Sequence, residues 1–424
     1  MIERLCNRFG IEGDVREAAL AAYERVASRA YDAQRTVAAA VLQAFLDEGI
    51  AESDLAGTTG YGYDDPARAR YESLLARVLG AERALARVSI VSGTHAIVAA
   101  IAACVPPGGR LLSISGPPYD TLRSAICDAP HSLAAGGIVY DEIALGAGGG
   151  FDLPAIEAAL RARSCAAVFI QRSRGYAPRR ALSVDECERA CEAVRRAAPG
   201  TPVLVDNCYG ELVEEREPTQ AGADLVMGSL IKNLGGSLAP AGGYVAGRAD
   251  LVERVAARLY APGLGAALGP SLGLGRTLVQ GLFLAPLIVE QCLRGMDFLA
   301  ALFQGLGYEV DPLPGTRRAD IVQAVRLGSS DLLMRFAAGL QAAMPVNARF
   351  RPEPGPVPGY ADPVVMSSGA FVAGGTLELS CDAPLREPFD VYVQGGASAA
   401  HAYLGALFAA RAVGARRPGG AQRA

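Results

Sequence analysis

Four short segments of this 424-residue chain set reactive side chains beside apolar runs. In SLIKN (229–233), Lys232 follows the apolar run ADLVMG, which puts its amine at the end of a buried strand. Burial disfavours the ammonium form, and the neutral amine is a nucleophile able to form an imine with an aldehyde. In VDNCYGE (205–211), Asp206 comes directly after a buried strand, where an unsolvated carboxylate requires a cationic or N–H partner. A pyridinium N–H is one such partner; capping a helix is the other use. In VSGTHA (91–96), an apolar strand breaks at Gly93 and enters an alanine- and isoleucine-rich helix. Ser92, Gly93 and Thr94 there either leave backbone N–H groups open to a phosphate or form an ordinary turn. Ser229 can add a hydroxyl to the same anion site. In SGPPYDTL (115–122), Tyr119 follows the strand LLSIS and can cover a flat heterocycle or pack in the core.

A carboxylate for a ring nitrogen, an amine for an aldehyde, a glycine-bearing turn for phosphate and an aromatic face together describe pyridoxal 5′-phosphate. The chain has three histidines, none near another, so a metal site is not expected. His95 is expected to pack or cap near the phosphate rather than act as a base.

The elements that must position these residues follow from periodicity. Short apolar runs at 111–115, 166–171, 202–206, 223–229 and 242–247 alternate with helical stretches at 94–104, 119–128, 154–162 and 184–197. Continuous apolar strands separated by helices predict an α/β fold with a mostly parallel sheet covered by helices. Such sheets bind ligands at the carboxyl ends of their strands. Helical spacing also covers 14–48, 66–79, 249–260 and 277–305. Beyond it the pattern is α+β, with strands near 320–326, 364–367 and 371–381 and helices at 329–343 and 398–411. The domains expected are an N-terminal helical arm (1–56), a large cofactor-binding domain (57–295) and a smaller α+β C-terminal domain (296–411), followed by a disordered tail (412–424).

The segments TTGYGYDD, IVSGTHA, PYDTL, IQRSRGY, VDNCYGELVEEREPT, GADLVMGSLIKN, LAPAGGYVAGR, QGLFLAP and LREPF run from about residue 58 to 390. They resemble the pyridoxal-phosphate-dependent family of methionine γ-lyase-like or aluminium-resistance proteins, within the fold-type I, aspartate-aminotransferase-like superfamily. The resemblance implies that Lys232 bonds the cofactor aldehyde, Asp206 pairs with the pyridinium nitrogen and Tyr119 stacks on the ring. Ser92, Gly93, Thr94 and Ser229 would bind the phosphate. Arg386, in the small domain, looks like the arginine that holds a substrate α-carboxylate in a bidentate pair. Arg172 and Arg174, after the strand AAVFIQ, would face the cofactor hydroxyl or the substrate, or one of the two would be structural only. Tyr61 and Tyr63 stand where related γ-lyases present a tyrosine from the neighbouring subunit, as acid or base near the leaving group. That implies a homodimer or homotetramer with shared active sites. The chain departs from the family at KNLGG (232–236), where KNPGG is usual, and at GPPYDTL, where the first proline replaces a lysine. Both changes bear on substrate identity more than on the chemistry.

The implied activity is a carbon–heteroatom lyase performing γ-elimination on an L-amino acid such as methionine, homocysteine or cystathionine. Elimination of a halide or other group from a non-proteinogenic amino acid, giving an unsaturated alkynyl product, is a second reading. A non-catalytic, cofactor-binding regulator is a third. Lys+Arg 40 against Asp+Glu 44, with no basic run, argues against nucleic acid as a partner. The apolar runs are too short for a membrane span, and MIERLCNRFGIEGD lacks the apolar stretch of a signal peptide. Nine cysteines without framework spacing suggest free thiols in a reducing cytoplasm. No G-x-G-x-x-G follows an early strand, which argues against a nicotinamide dehydrogenase.

Overall fold

The computed structural model describes residues 1–416 and forms two compact units. One spans Ala33–Leu287; the other combines Met1–Asp32 with the chain from Ile288 onward. Among the described residues no helix is long and apolar enough to cross a membrane.

The Ala33–Leu287 unit is built on a seven-stranded sheet. Its strands are β1 (Arg83–Arg87), β2 (Arg110–Ser113), β3 (Val139–Glu142), β4 (Ala167–Gln171), β5 (Val203–Asp206), β6 (Leu225–Ser229) and β7 (Gly243–Gly247). They lie in the order β1-β7-β6-β5-β4-β2-β3. The pairs from β3 across to β6 are parallel, and only β7 runs against its neighbours. The strands AVFIQ, VLVD, LVMGS and GYVAG are buried along their whole length, as sheets covered on both faces require. Ala96, Ile97, Ala100 and Ile101 of the helix Gly93–Cys104 share one core with Leu225, Met227 and Val245. The order of strands reverses between β2 and β4, the switch point at which ligand crevices open in such sheets.

The sheet holds two strands that the periodicity does not predict, β1 and β3. Both are edge strands and carry charges: Arg83 opens β1 exposed and Glu142 ends β3 exposed, whereas Arg87 is buried and paired with Glu72. The apolar strand expected to run into Gly93 is instead β1 followed by a turn at 88–90. The helical stretch 14–48 is two helices, Gly13–Ala27 and Asp32–Glu48, preceded by a third, Ile2–Phe9.

The second unit has a six-stranded antiparallel sheet. Its strands β8 (Glu309–Asp311), β9 (Val322–Arg326), β10 (Pro354–Gly355), β11 (Val364–Ser368), β12 (Ser380–Pro384) and β13 (Asp390–Gln394) lie in the order β10-β11-β12-β13-β9-β8. The strand expected at 371–381 is irregular up to Leu379, because Gly374 and Gly375 turn the chain, and pairing begins at Ser380. Ile2, Cys6, Ala19 and Val26 pack in one core with Phe298, Phe303, Phe336 and Tyr403. The first 32 residues therefore group with the C-terminal part of the chain. Tyr31 seals that association, donating its hydroxyl to the buried Asp297 at 2.7 Å beside Arg318 Nε at 2.8 Å. Of the expected tail, residues 417–424 lie outside the described residues. Its first residues are ordered: the last helix reaches Val413, and the Arg416 amide donates to the Leu306 carbonyl at 2.8 Å.

The lysine segment depends on one backbone approach. Gly236 closes the short turn Asn233–Gly235 with φ of 52°, and a Cβ there would lie 2.2 Å from the Gly281 carbonyl oxygen. Gly236→Ala is expected to destabilise the chain by about 2 kcal/mol or more, read as a lower urea midpoint at unchanged slope.

Candidate active site

The carboxyl ends of β4, β5 and β6 bring the amine and the carboxylate into one cluster. Lys232 lies three residues past β6; its Nζ donates to the Tyr209 hydroxyl at 2.9 Å and sits 4.8 Å from the centre of that ring. Tyr209 itself has φ of 69°, a conformation disfavoured for a bulky side chain, and the loop from β5 holds it there. Asp206, the last residue of β5, is buried and accepts the Cys208 amide at 3.1 Å. Burial pushes its carboxyl up to about 6, against the pull of the Cys208 hydrogen bonds and the Arg179 charge. Among the described residues no cation is ion-paired with it. A buried carboxyl in that position is suited to a ring N–H.

A second group lies at the start of the helix Gly93–Cys104. The Ser92 hydroxyl caps the helix by accepting the His95 amide at 3.1 Å, and His95 Nδ1 accepts the Val91 amide at 3.3 Å. A Cβ on Gly93 would lie 3.2 Å from Cys208 Sγ and 3.3 Å from the Ser229 nitrogen, so the bare glycine lets the helix start press against the end of β6. Thr94 Oγ1 is 2.7 Å from the Tyr119 hydroxyl, and the Tyr119 amide donates to Gln171 Oε1 at 2.8 Å. Tyr119 is thus fixed at both ends beside the helix start. Free N–H groups, the positive end of the helix dipole, and the hydroxyls of Ser229 and Thr94 fit a phosphate. Ser92, Gly93, Thr94, Tyr119, Asp206, Ser229 and Lys232 therefore form one linked cluster. Its donor set fits pyridoxal phosphate: an amine, a buried carboxylate, an anion cradle and an aromatic ring.

Arg172 is the structural one of the two arginines. Its side chain is fully buried, with Nε donating to the Leu182 carbonyl at 3.1 Å and Nη1 to Asn207 Oδ1 at 2.7 Å and the Gly210 carbonyl at 3.0 Å. Nη2 pairs with Glu214. A guanidinium so occupied is a strut for the loop after β5 and does not reach a substrate. Arg174 is buried as well. Arg386 belongs to the other unit, just past β12, with Nη1 3.6 Å from Asp362. Tyr61 and Tyr63 are 76% and 54% exposed, on a rigid loop. Buried Asp65 anchors it, accepting Thr58 N, Thr58 Oγ1, Arg68 N and Ser271 N at 2.7–2.9 Å. Burial alone would raise that carboxyl, but these donors hold it well below the ordinary carboxylate range.

Tyr209 and Cys208 are site residues that the sequence reading does not single out. Their signal is the segment DNCYGE itself, where every residue after Asp206 must turn back over the strand ends.

A family model described as methionine gamma-lyase matches residues 14–413. The chain is 40% identical over 365 residues to the uncharacterised protein YnbB of Bacillus subtilis (strain 168), covering 85% of this chain and 86% of that one. A solved carbon-sulfur lyase involved in aluminum resistance, from Clostridium novyi NT, is 37% identical with a TM-score of 0.91 over 96% of this chain and 97% of its own. The pyridoxal-5′-phosphate dependent protein YhfS of Escherichia coli, 21% identical, has a TM-score of 0.59 over 89% of this chain and 96% of its own. That likeness shows the fold, which is fold type I.

Removing the strut isolates a buried charge. Arg172→Met is expected to cost about 3–5 kcal/mol because Glu214 is left without its cation, with Arg172→Lys losing less; guanidinium unfolding of both variants measures it.

Proposed function

Because the chain belongs to the methionine γ-lyase family, we propose that it is a pyridoxal-phosphate-dependent carbon–sulfur lyase. Its reaction is γ-elimination on an L-amino acid of the methionine, homocysteine or cystathionine kind. The observation that carries this reading is the Lys232 amine at the mouth of the sheet, in one cluster with buried Asp206 and the helix start at Gly93.

Lys232 would hold the aldehyde carbon, and its free amine would be the base that takes the Cα proton and then a Cβ proton, the second loss being what lets the γ substituent leave. Tyr209, 2.9 Å away, aims Nζ. Asp206 would hold the ring N–H, and its burial would strengthen that pairing by excluding water. Ser92, Gly93, Thr94 and Ser229 would hold the phosphate, and Tyr119 would cover the ring. When bound, the cofactor supplies the sink for the electron pair left at Cα. Arg386 and Arg174 are the candidates for the substrate carboxylate. The exposed Tyr61 and Tyr63, held out on the Asp65-anchored loop, serve a second copy of the chain, one of them acting on the leaving γ substituent. The assembly is a homodimer or homotetramer.

Three outcomes are expected. Purified protein releases a 2-oxo acid and ammonia from at least one of L-methionine, L-homocysteine and L-cystathionine, and Lys232→Ala does not; inactivity on all three, with turnover only on a γ-halo amino acid, would move the reading to carbon–halide cleavage. Asp206→Ala lowers kcat/KM by about 10³-fold through loss of charge stabilisation. Tyr61→Phe or Tyr63→Phe lowers kcat by about 10²-fold, and mixing that variant with Lys232→Ala subunits restores part of the activity. Absence of any rescue would place both tyrosines outside a shared site.

A further inference from the structure

Glu211 closes the segment VDNCYGE and takes no part in the chemistry above. Its side chain is fully buried against β6 and β7. Tyr244 of β7 donates its hydroxyl to Oε1 at 2.9 Å, and a Cβ on Gly228 of β6 would lie 2.8 Å from the same oxygen. The glycine leaves the slot that the carboxyl fills. The main chain of Glu211 is tied to the lysine segment, because Asn233, next to Lys232, donates Nδ2 to the Glu211 carbonyl at 2.8 Å.

Two acceptors on these joined residues, Glu211 Oε2 and Asn233 Oδ1, are buried without a hydrogen-bond partner among the described residues. An ionised Glu211 would carry its charge on a carboxyl whose Oε2 is buried and unpartnered among the described residues, whereas the protonated acid is neutral there. The surrounding charges favour the same state. Asp206 and Glu217 both act on Glu211 as negative neighbours, and no ion pair joins a cation to it among the described residues. Tyr244 faces it from β7, and Cys208 stands within reach of Asp206, Glu211 and Lys232. Burial first, then the two acids, push the Glu211 carboxyl up to about 8, against its own backbone amide and the Tyr244 hydroxyl.

We propose that Glu211 is a positioning residue for Lys232: as a neutral carboxylic acid it fastens the lysine segment to β6 and β7 without placing a negative charge near the amine. Such a charge would stabilise the ammonium form of Lys232 and blunt it as a base. The inference rests on Lys232 being the cofactor-binding amine only for its functional half.

The test compares wild type, Glu211→Gln and Tyr244→Phe as full chains, melted across about pH 5 to 9 with and without pyridoxal phosphate. A carboxyl that ionises at its ordinary 4.5 when unfolded and near 8 when folded loses stability as pH rises through that window. Glutamine cannot ionise. Glu211→Gln should therefore match wild type near pH 5 and melt higher by about 5 °C near pH 8. Tyr244→Phe removes a donor to the carboxylate and should move the alkaline loss to higher pH. In the loaded protein, the absorbance of the lysine-bound cofactor should show an alkaline phase near that same pH in wild type and not in Glu211→Gln. Melting curves that run parallel at every pH, or a glutamine variant less stable near pH 8, would overturn the proposal. A flat absorbance with the melting behaviour intact would strike only the link to Lys232. Wild type that never acquires the absorbance would strike the cofactor assignment instead, with the melting comparison still deciding the state of Glu211.

Discussion

Ionisable side chains at the ends of fully buried strands set the terms for the larger unit. β5 ends in Asp206, β6 leads into Lys232, and the loop between them buries Glu211, Glu214 and Glu217 within a dozen residues. Each charge taken out of water costs several kcal/mol unless a partner stands ready, so the local architecture is largely a set of partners. Arg172 meets Glu214; Asn207 and the Leu212 amide meet Glu217; Tyr244 meets Glu211. Asp206 keeps backbone and thiol contacts and, like Glu211, has no ion-paired cation among the described residues.

The same accounting separates two kinds of arginine. Arg172 spends its donors on the loop that carries Tyr209, and a Cβ on Gly210 would lie 2.5 Å from its guanidinium, so the loop is moulded around it. Arg179 donates to the Gln171 and Ser173 carbonyls at 2.9 and 2.5 Å and still contributes its charge to Asp206. Rigidity therefore reaches the site from inside the sheet. The loop carrying Tyr61 and Tyr63 is stiffened in the same way by Asp65, although its rings face outward. Five donor groups, from Thr58, Arg68 and Ser271, converge on that carboxylate and hold the loop that carries the two exposed rings.

Much of this was legible in the chain. The fully buried strands β4 to β7 and the helices between them follow from continuous apolar runs and clear caps such as Ser183 with Glu186. The edge strands β1 and β3 and the short strands of the antiparallel sheet do not, because charged and polar residues such as Arg83, Arg87, Asp141 and Asp390 interrupt their apolar runs, and runs of three to five residues are too short to restore the signal. At the site, Lys232, Asp206, Gly93, Ser229 and Tyr119 stand out singly by type and position, whereas Tyr209 and Cys208 look like ordinary loop residues. The sequence leaves Arg172 open for the same reason: an arginine after a strand is as consistent with a ligand site as with a buried strut.

The sequence by itself determined which residues could react and that strand ends would carry them, since hydrophobic periodicity and side-chain chemistry are local properties. The tertiary structure alone decided which charges are partnered. Partnership depends on atoms brought within about 3 Å from segments distant in the chain, as when Glu214 meets Arg172 or Tyr244 meets Glu211. Desolvation, which raises a buried carboxyl above its ordinary range, exists only once the fold has removed the water.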